Sequence, residues 1–176
     1  MLLAALGLEI FAMMPELRAC GNVLSIWLRG GAPQLASAPA DPSLRDANNR
    51  DYVITRQSNV TQVVLFGYTH CSDECPTALS KMARAYDAIG RPSRLRLVFV
   101  SFDPDRDTPR VLSTYMRLFK APIIGLSGSP PALRAAMRRF GVEAVRIPSE
   151  EPGEGYSFAH TTSIHVIGPN DSFEAM

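Results

Sequence analysis

The chain has little cysteine, no long apolar segment and almost no excess charge. Three cysteines among 176 residues are too few for the dense disulfide framework of a small secreted protein. No segment reaches the roughly 20 consecutive apolar residues of an ordinary membrane span. The 18 basic and 17 acidic residues give a net charge of +1. They form no basic stripe, so no nucleic-acid partner is predicted.

The composition is that of one globular domain. Hydrophobic residues make up 46% and charged residues 20% of the chain, which excludes an intrinsically disordered protein. The length of 176 residues suffices for one sizeable core but hardly for two. We predict an apolar leader or anchor at residues 1–29, a linker rich in glycine, proline, alanine and serine at 30–43, and one domain at 44–176.

The amino-terminal segment has the length of the apolar part of an export signal. Residues 1–14 are apolar except for Glu9, although the positive residues that usually precede such a segment are missing. Cys20 stands where a lipoprotein cleavage site would place its acylated cysteine, but Arg18 occupies a position at which a small residue is expected. We therefore predict export, with membrane association through this segment, and we favour a free or buried thiol at Cys20.

The domain alternates predicted strands and helices. Continuous apolar runs predict strands that are covered on both faces at Val63–Phe66, Leu95–Val100 and Ile123–Leu126. Apolar residues at spacings of three and four predict three helices that bury Leu79, Met82, Tyr86 and Ile89, then Leu112, Tyr115, Met116 and Phe119, then Leu133, Met137 and Phe140. The segment Thr161–Ile167 is rich in β-forming residues, and the turn residues after it predict a hairpin. This order predicts an α/β fold with parallel crossovers.

Residues with chemistry to offer concentrate between the first strand and the first helix. Cys71 and Cys75 stand four apart around the predicted helix start, so both sulfurs can face one point. This place is the carboxyl end of a parallel strand, where open α/β sheets bind ligands. A helix amino terminus also favours thiolate over thiol. The pair can form a reversible disulfide or hold a soft metal ion such as Cu(I), and two purely structural thiols are the less favoured interpretation.

Two sulfurs leave a metal ion under-coordinated, and three histidines could complete the site. His70 adjoins Cys71, and its ring could cap the loop or point away from the thiols. His165 lies in the predicted strand Thr161–Ile167. If this strand is regular and extends back to His160, the two histidines lie on opposite faces, and only one of them can face the cysteines. Spacing alone does not decide which.

A charged segment, Asp103–Pro109, follows the second predicted strand. It starts on the same sheet edge as the cysteines, so it could tune the site or contact a partner. Capping, turn formation and an ion pair of Arg106 explain the same residues without a functional role, and we favour that interpretation. Glu150, Glu151 and Glu154 lie in a loop that contains proline and glycine, and we predict that they are solvated.

Several separate motifs together resemble the Sco/SenC family. In order they are Phe66-Gly67-Tyr68-Thr69-His70-Cys71, Cys75-Pro76-Thr77, Val100-Ser101-Phe102-Asp103-Pro104-Asp105-Arg106-Asp107-Thr108-Pro109, Gly125-Leu126-Ser127-Gly128 and His160-Thr161. The resemblance implies a thioredoxin-like fold with a central mixed sheet flanked by helices, and we expect the closing C-terminal helix to be missing. By position it implies that Cys71, Cys75 and His160 bind copper, as Cu(I) or Cu(II) and one ion per chain, and that His70 and His165 do not.

The resemblance also implies a function outside the cytoplasm. Family members help assemble the copper A centre of cytochrome c oxidase by delivering copper, by reducing its cysteines, or both. They face the periplasm or the mitochondrial intermembrane space and are tethered to the inner membrane. The expected partners are subunit II of the oxidase or another copper client, and an upstream copper donor.

Two interpretations of this chain stay open. The first is a copper-binding metallochaperone that is not an enzyme and uses Cys71, Cys75 and His160. The second is a thiol-disulfide oxidoreductase in which Cys71 and Cys75 cycle and His160 is incidental. Dithiol exchange needs no third ligand, so the histidine is the feature that distinguishes the two.

Overall fold

The computed structural model describes residues 43–54, 59–149, 153 and 155–168, and the backbone of residues 173–175. Its strands are β1 (Leu44–Asp46), β2 (Asp51–Tyr52), β3 (Thr61–Gly67), β4 (Leu95–Ser101), β5 (Ile123–Ser127), β6 (Ala144–Pro148), β7 (Tyr156–His160), β8 (Ile164–Ile167) and β9 (Phe173–Ala175). Its helices are α1 (Glu74–Ala88), α2 (Pro109–Met116), which a 3-10 turn at Arg117–Phe119 continues, and α3 (Pro130–Phe140).

Several predictions concern parts of the chain outside these residues. The leader, the linker up to residue 42, Cys20 and the three loop glutamates lie outside the described residues, and what was predicted of them stays a prediction. Within the described part of the chain, no helix is long and apolar enough to cross a membrane.

A seven-stranded mixed sheet has the strand order β2-β1-β5-β4-β3-β8-β9. Strands β3, β4 and β5 are parallel, whereas β8 runs antiparallel to β3 and forms a hairpin with β9. The predicted α/β layout with parallel crossovers and a final hairpin is therefore confirmed. Because helices cover both faces of the parallel strands, their sequences read as continuous apolar runs.

Each face of the sheet has its own core, because successive residues of a strand point to opposite faces. The core under α3 includes Phe66, Val98, Val100, Leu126, Leu133 and Phe140. The core under α1 and α2 includes Leu65, Leu79, Met82, Leu97, Phe99, Leu112 and Met116. Cys71 packs against both cores, so the loop that carries it lies where the two layers meet at the edge of the sheet.

Local sequence signals explain the helix starts. Thr108 and Ser129 act as N-caps, and their hydroxyls accept from the N–H groups of Val111 and Ala132, at 3.4 Å in each case. A proline follows each cap at the start of the helix, where its missing N–H costs nothing.

The helix ends account for the apolar residues that are not in the core. Ile89 was predicted to be buried but is 61% exposed, because α1 ends at Ala88 and Gly90 turns the chain with a φ of 78°. Phe119 lies in the 3-10 turn, and like Tyr115 and Met137 it packs at the margin of a core. The spacing thus predicted the burial of Met116 and Phe140, the last residues of α2 and α3, but not the residue at which α1 ends.

The segment Thr161–Ile167 is not a single strand. Strand β8 begins only at Ile164, and His160 is the last residue of β7, which pairs with β6 in a separate two-stranded sheet. We call this sheet (β6 and β7) the ribbon. The strand therefore does not extend back to His160, and the two histidines belong to different sheets. The sequence on both sides of the break is β-rich, so periodicity could not show it.

Candidate metal centre

The loop between β3 and α1 places both cysteines at the carboxyl end of the parallel strands. Strand β3 ends at Gly67 and α1 begins at Glu74, so Cys71 lies in the loop and Cys75 in the first turn of the helix. Cys75 is 1% exposed, whereas Cys71 is partly buried. The backbone N–H of Cys75 donates to the sulfur of Cys71 at 3.4 Å. A helix start thus brings the two sulfurs together, as the spacing predicted.

His160 joins the two cysteines in a group of three donor atoms. The sulfurs of Cys71 and Cys75 and a ring nitrogen of His160 lie within 4.8 Å of one another. His70 is exposed and lies outside this group, with its Nδ1 3.1 Å from the Thr69 hydroxyl. His165 is buried in the core, where its ring meets the edges of aromatic neighbours. The structure therefore brings together the three residues that the family resemblance indicated and leaves the other two histidines outside.

The ring of His160 is oriented by its own backbone and by two aromatic rings. Its Nδ1 lies 3.0 Å from the carbonyl oxygen of Thr161. Because a carbonyl can only accept, Nδ1 carries a hydrogen. Nε2 is therefore the ring nitrogen left to donate to the Cys71 thiolate in the metal-free site, and to bind a metal ion once it has lost that proton. The rings of Tyr68 and Phe102 contact the imidazole at centroid distances of 5.8 and 5.3 Å. The plane of the ring and the partner of each nitrogen are thus defined before any ion binds.

The two sulfurs hold their protons very differently. Hydrogen bonds from the Cys75 thiol, from His160 and from the backbone of Cys75 and Asp73 lower the pKa of Cys71 to about 3, although burial opposes this. The same hydrogen bond to Cys71, together with burial and the Cys71 charge, raises the pKa of Cys75. The hydrogen bond to Cys71 also raises the pKa of His160. The reduced, metal-free site therefore consists of a thiolate at Cys71 and a thiol at Cys75.

Gly67 makes room for the sulfur of Cys75. A Cβ atom at position 67 would lie 2.5 Å from that sulfur and 2.9 Å from the ring of Phe99. Both distances are far inside the optimum separation of about 3.5–4.0 Å between non-bonded carbon atoms. The sequence shows this glycine within a motif but does not by itself reveal its steric role. A glycine directly after a buried strand and before the cysteines was the signal that could have pointed to it.

Asp107 fixes the start of the cysteine loop to β4. Its buried carboxylate accepts from the N–H of Thr69 at 2.9 Å, from the Thr69 hydroxyl at 2.6 Å and from the Ser101 hydroxyl at 2.5 Å. The ring of His70 approaches the same carboxylate at 3.7 Å. The predicted ion pair of Arg106 is present, with Asp103 at 2.6 Å. The sequence did not reveal that Asp107, in the same segment, holds the loop that carries Cys71.

Comparison with known proteins is consistent with this arrangement. The family model described as SCO1/SenC matches residues 41–176. The chain is 33% identical over 153 residues to a protein of Stutzerimonas stutzeri whose name describes it as copper-binding, and the match covers 86% of this chain and 71% of that protein. It is 34% identical over 113 residues to the mitochondrial SCO1 homolog 1 of Arabidopsis thaliana, a match that covers 63% of this chain but only 33% of the longer relative.

A solved structure shows the same fold. The structure of Bradyrhizobium japonicum ScoI with copper bound superimposes with a TM-score of 0.70 at 28% sequence identity, covering 78% of this chain and 87% of that one. The predicted thioredoxin-like fold is thereby confirmed. With a family model that matches most of its length, a relative that is 33% identical over 153 residues and the shared fold, the chain belongs to the SCO1/SenC family.

Proposed function

We propose that this protein is a copper-binding metallochaperone that holds its cargo between Cys71, Cys75 and His160. The convergence of two sulfurs and an imidazole nitrogen within 4.8 Å carries the proposal. This donor set fits copper, because soft thiolates and an imidazole suit Cu(I) at low coordination number, while Cu(II) needs one further oxygen or nitrogen donor, which water can supply. The related ScoI structure with copper bound supports the choice of metal.

The difference in pKa between the two sulfurs determines which proton is released when copper binds. Cys71 is already a thiolate, since its pKa is lowered to about 3, so it needs no deprotonation to act as a ligand. Cys75 keeps its proton until the ion arrives, because its pKa is raised by the hydrogen bond to Cys71. Copper uptake through both sulfurs must therefore release the Cys75 proton to solvent.

Membership of the family supports a client outside the cytoplasm. We propose delivery of copper to the copper A centre of cytochrome c oxidase, with subunit II or another copper protein as the acceptor and an upstream copper protein as the donor. The apolar segment at residues 1–29 would direct export and hold the domain at the membrane, facing the periplasm or the mitochondrial intermembrane space. The chain spans 71% and 33% of its two named relatives, so partners and location belong to this proposal.

The second candidate, a thiol-disulfide oxidoreductase, draws support from the same pair. The Cys71 thiolate would attack a client disulfide to form a mixed disulfide. Cys75 would then displace the client thiolate and close a Cys71–Cys75 disulfide, leaving the client with two added electrons and two thiols. The depressed pKa of Cys71 weighs against this direction, because a strongly stabilised thiolate favours the reduced pair and makes it a poor reductant. The same property keeps the pair reduced and ready for copper.

Copper titration of matched variants tests the proposal. The parent should bind one copper per chain, and the double variant Cys71→Ala/Cys75→Ala should bind none. His160→Ala should keep Cu(I), more weakly, and lose far more of its Cu(II) affinity, since Cu(II) depends on nitrogen and oxygen donors. His70→Ala is the control, because His70 adjoins Cys71 but lies outside the donor group. Copper binding that survives replacement of both cysteines would overturn the proposal.

A parallel measurement of thiol chemistry separates the two candidates. Mild oxidation should link Cys71 to Cys75, exclude copper and leave Cys20 apart, as mass mapping would show. Dithiol exchange should change little in His160→Ala, since its rate follows thiolate character and access. If His160→Ala binds Cu(II) like the parent but loses exchange activity, His160 serves the thiols and the oxidoreductase replaces the metallochaperone.

A further inference from the structure

The ribbon that carries His160 has strands that pair only with each other among the described residues. The position of His160 relative to the cysteines therefore depends on the side chains that hold the ribbon against the rest of the domain. Two sets of side chains make this contact. Tyr68 bonds to Ser157 at 2.8 Å and packs against Phe158. The second set consists of three residues: Asp103 and Arg106 from the loop between β4 and α2, and Tyr156, the first residue of β7. We call these three residues the clasp.

Hydrogen bonds join each residue of the clasp to the other two. Nε of Arg106 donates to Oδ2 of Asp103 at 2.6 Å, and a second guanidinium nitrogen donates to the backbone carbonyl of Tyr156 at 2.9 Å. The Tyr156 hydroxyl donates to Oδ1 of Asp103 at 2.8 Å. The Arg106 guanidinium also lies 3.7 Å from the centre of the Tyr156 ring. Asp103 is fully buried, so these charge-assisted bonds are shielded from water and strong.

Strand β7 connects the clasp to His160 through the residues on one of its faces. Alternate residues of a strand point to the same face, which puts Tyr156, Phe158 and His160 in one row along β7. The clasp holds the first of them. Phe158 packs against Tyr68 and Phe102 at centroid distances of 5.1 Å each, and His160 stands at the other end of the same five-residue strand. A displacement at Tyr156 would therefore reach the imidazole along a stiff strand.

We propose that Arg106 and Tyr156 are positioning residues that set where His160 stands relative to the dithiol and thereby govern how well the site holds Cu(II). The inference rests on the proposed copper site. Other hydrogen bonds hold the sulfurs, namely those of the β3–α1 loop with Asp107. Loss of the clasp thus weakens the nitrogen ligand and leaves the dithiol in place. Both carboxylate oxygens of Asp103 accept hydrogen bonds within the clasp, and Asp103 lies outside the group of donor atoms.

Three substitutions and one control test the inference. Arg106→Gln removes the charge and the stacking, Tyr156→Phe removes only the hydroxyl, and Arg106→Lys keeps the charge. Arg146→Gln is the matched control: Arg146 stacks on the same Tyr156 ring at 4.0 Å, but its ion pair with Asp105 is exposed and contributes little.

Cu(II) affinity, Cu(I) affinity and the thiolate-to-Cu(II) absorption of the purified chain are measured for each variant. Arg106→Gln should lower Cu(II) affinity by roughly 10- to 100-fold, the usual range for a residue that orients a ligand, and move the absorption toward that of His160→Ala. Tyr156→Phe should give a smaller loss, Arg106→Lys should recover part of the affinity, and Arg146→Gln should match the parent. Cu(I) affinity and dithiol exchange should change little throughout.

Hydrogen exchange of the metal-free chain gives a readout that needs no copper. In Arg106→Gln, the Phe158 N–H, which donates to the Tyr68 hydroxyl at 3.4 Å, should exchange faster together with the other ribbon amides, while amides of β3 and α1 stay protected. Faster exchange across the whole domain would show a general loss of stability and overturn the positioning role.

The outcomes separate this inference from the proposed function. If Arg106→Gln and Tyr156→Phe bind Cu(II) like the parent while His160→Ala does not, the clasp has no positioning role and the metallochaperone stands. If His160→Ala itself binds Cu(II) like the parent, His160 is not a copper ligand. The proposed site and the positioning role of the clasp are then both contradicted. Equal losses of Cu(I) and Cu(II) affinity in Arg106→Gln would also overturn the inference.

Discussion

Cys71 and Cys75 come from a loop that the main sheet holds, whereas His160 comes from a ribbon outside this sheet. The loop is fixed by a helix start, by the buried Asp107 carboxylate and by the close fit of Gly67 against the Cys75 sulfur. The ribbon is fixed by side-chain contacts, namely the clasp, the Tyr68 hydroxyl and the packing of Phe158 against Tyr68 and Phe102. Backbone pairing thus ties the first region to the main sheet, whereas the second region depends on side chains, which lowers its local stability.

This difference has a chemical consequence for the proposed copper site. Sulfur ligands satisfy Cu(I), and these come from the firmly held region. The nitrogen ligand matters most for Cu(II), and it comes from the ribbon. In a protein built this way, a displacement of the ribbon would weaken Cu(II) binding more than Cu(I) binding. The predictions that follow concern the loop that carries the cysteines and the core, in order of decreasing expected effect.

The largest expected contrast is between the two sulfurs. Because the pKa of Cys71 is lowered to about 3, Cys71 stays a thiolate at every pH above that value. Its alkylation by iodoacetamide in the reduced, metal-free protein should therefore be nearly constant from about pH 5 to about pH 8, where an ordinary thiol of pKa about 8.5 gains roughly tenfold per unit. Residue-resolved mass spectrometry measures the rate at Cys71, and free cysteine in the same solution is the control. A tenfold rise per unit at Cys71 would contradict the assignment.

Gly67→Ala should displace the Cys75 sulfur, because the added Cβ atom occupies the same space. The added carbon would stand 2.5 Å from that sulfur, so the helix start must shift. We expect loss of copper binding and a decrease of about 1–3 kcal/mol in the free energy of unfolding. Gly125→Ala is the control, since its Cβ would meet Met116 at 3.2 Å in the sheet but away from the cysteines. Copper titration and urea unfolding check both, and parent-like copper affinity in Gly67→Ala would refute the steric argument.

Asp107→Asn should loosen the cysteine loop from β4. The amide keeps one acceptor oxygen where the carboxylate used two, so donors from Thr69 and Ser101 compete for it. A lost hydrogen bond to a charged group lowers the free energy of unfolding by about 1.5–3 kcal/mol. Because this residue holds the sulfur region, Cu(I) and Cu(II) affinities should fall together, unlike the result expected for the clasp.

The control for this substitution is Asp105→Asn. Asp105 lies in the same segment, but its side chain is 64% exposed, and surface changes of this kind stay within about 0.5 kcal/mol. Chemical denaturation of both variants measures the difference. Equal stability of the two would mean that the Asp107 bonds do not hold the loop.

The smallest expected effect is a loss of stability at acid pH that comes from His165 in the core. Burial lowers the pKa of His165 to about 4, below its unfolded value of about 6.5. The unfolded chain therefore binds the extra proton between these values, and stability that is complete above about pH 6.5 is lost as the pH falls. Lowering the pH from 7 to 5.5 should remove about 1 kcal/mol through this residue. Urea unfolding of the parent and of His165→Leu measures it, and an identical pH dependence in both would exclude His165 as the source.

The helices, the parallel strands and the dithiol were predictable because each depends on residues that are close in the chain. The four-residue spacing of Cys71 and Cys75 around a helix start predicted that their sulfurs could meet, and the structure brings them together. The caps at Thr108 and Ser129 act on the N–H groups three residues later. The resemblance to a family added His160, which neither periodicity nor spacing had selected over His165.

The sequence by itself determined the order of the elements and the pairing of the two cysteines, because hydrophobic periodicity, capping and spacing act over a few residues. Only the tertiary structure decided that the chain breaks between His160 and Ile164, that the ribbon lies apart from the main sheet, and that His160 rather than His165 reaches the sulfurs. These features depend on contacts such as that of Tyr156 with Asp103. Such contacts join residues far apart in the chain, and no local pattern in the sequence records them.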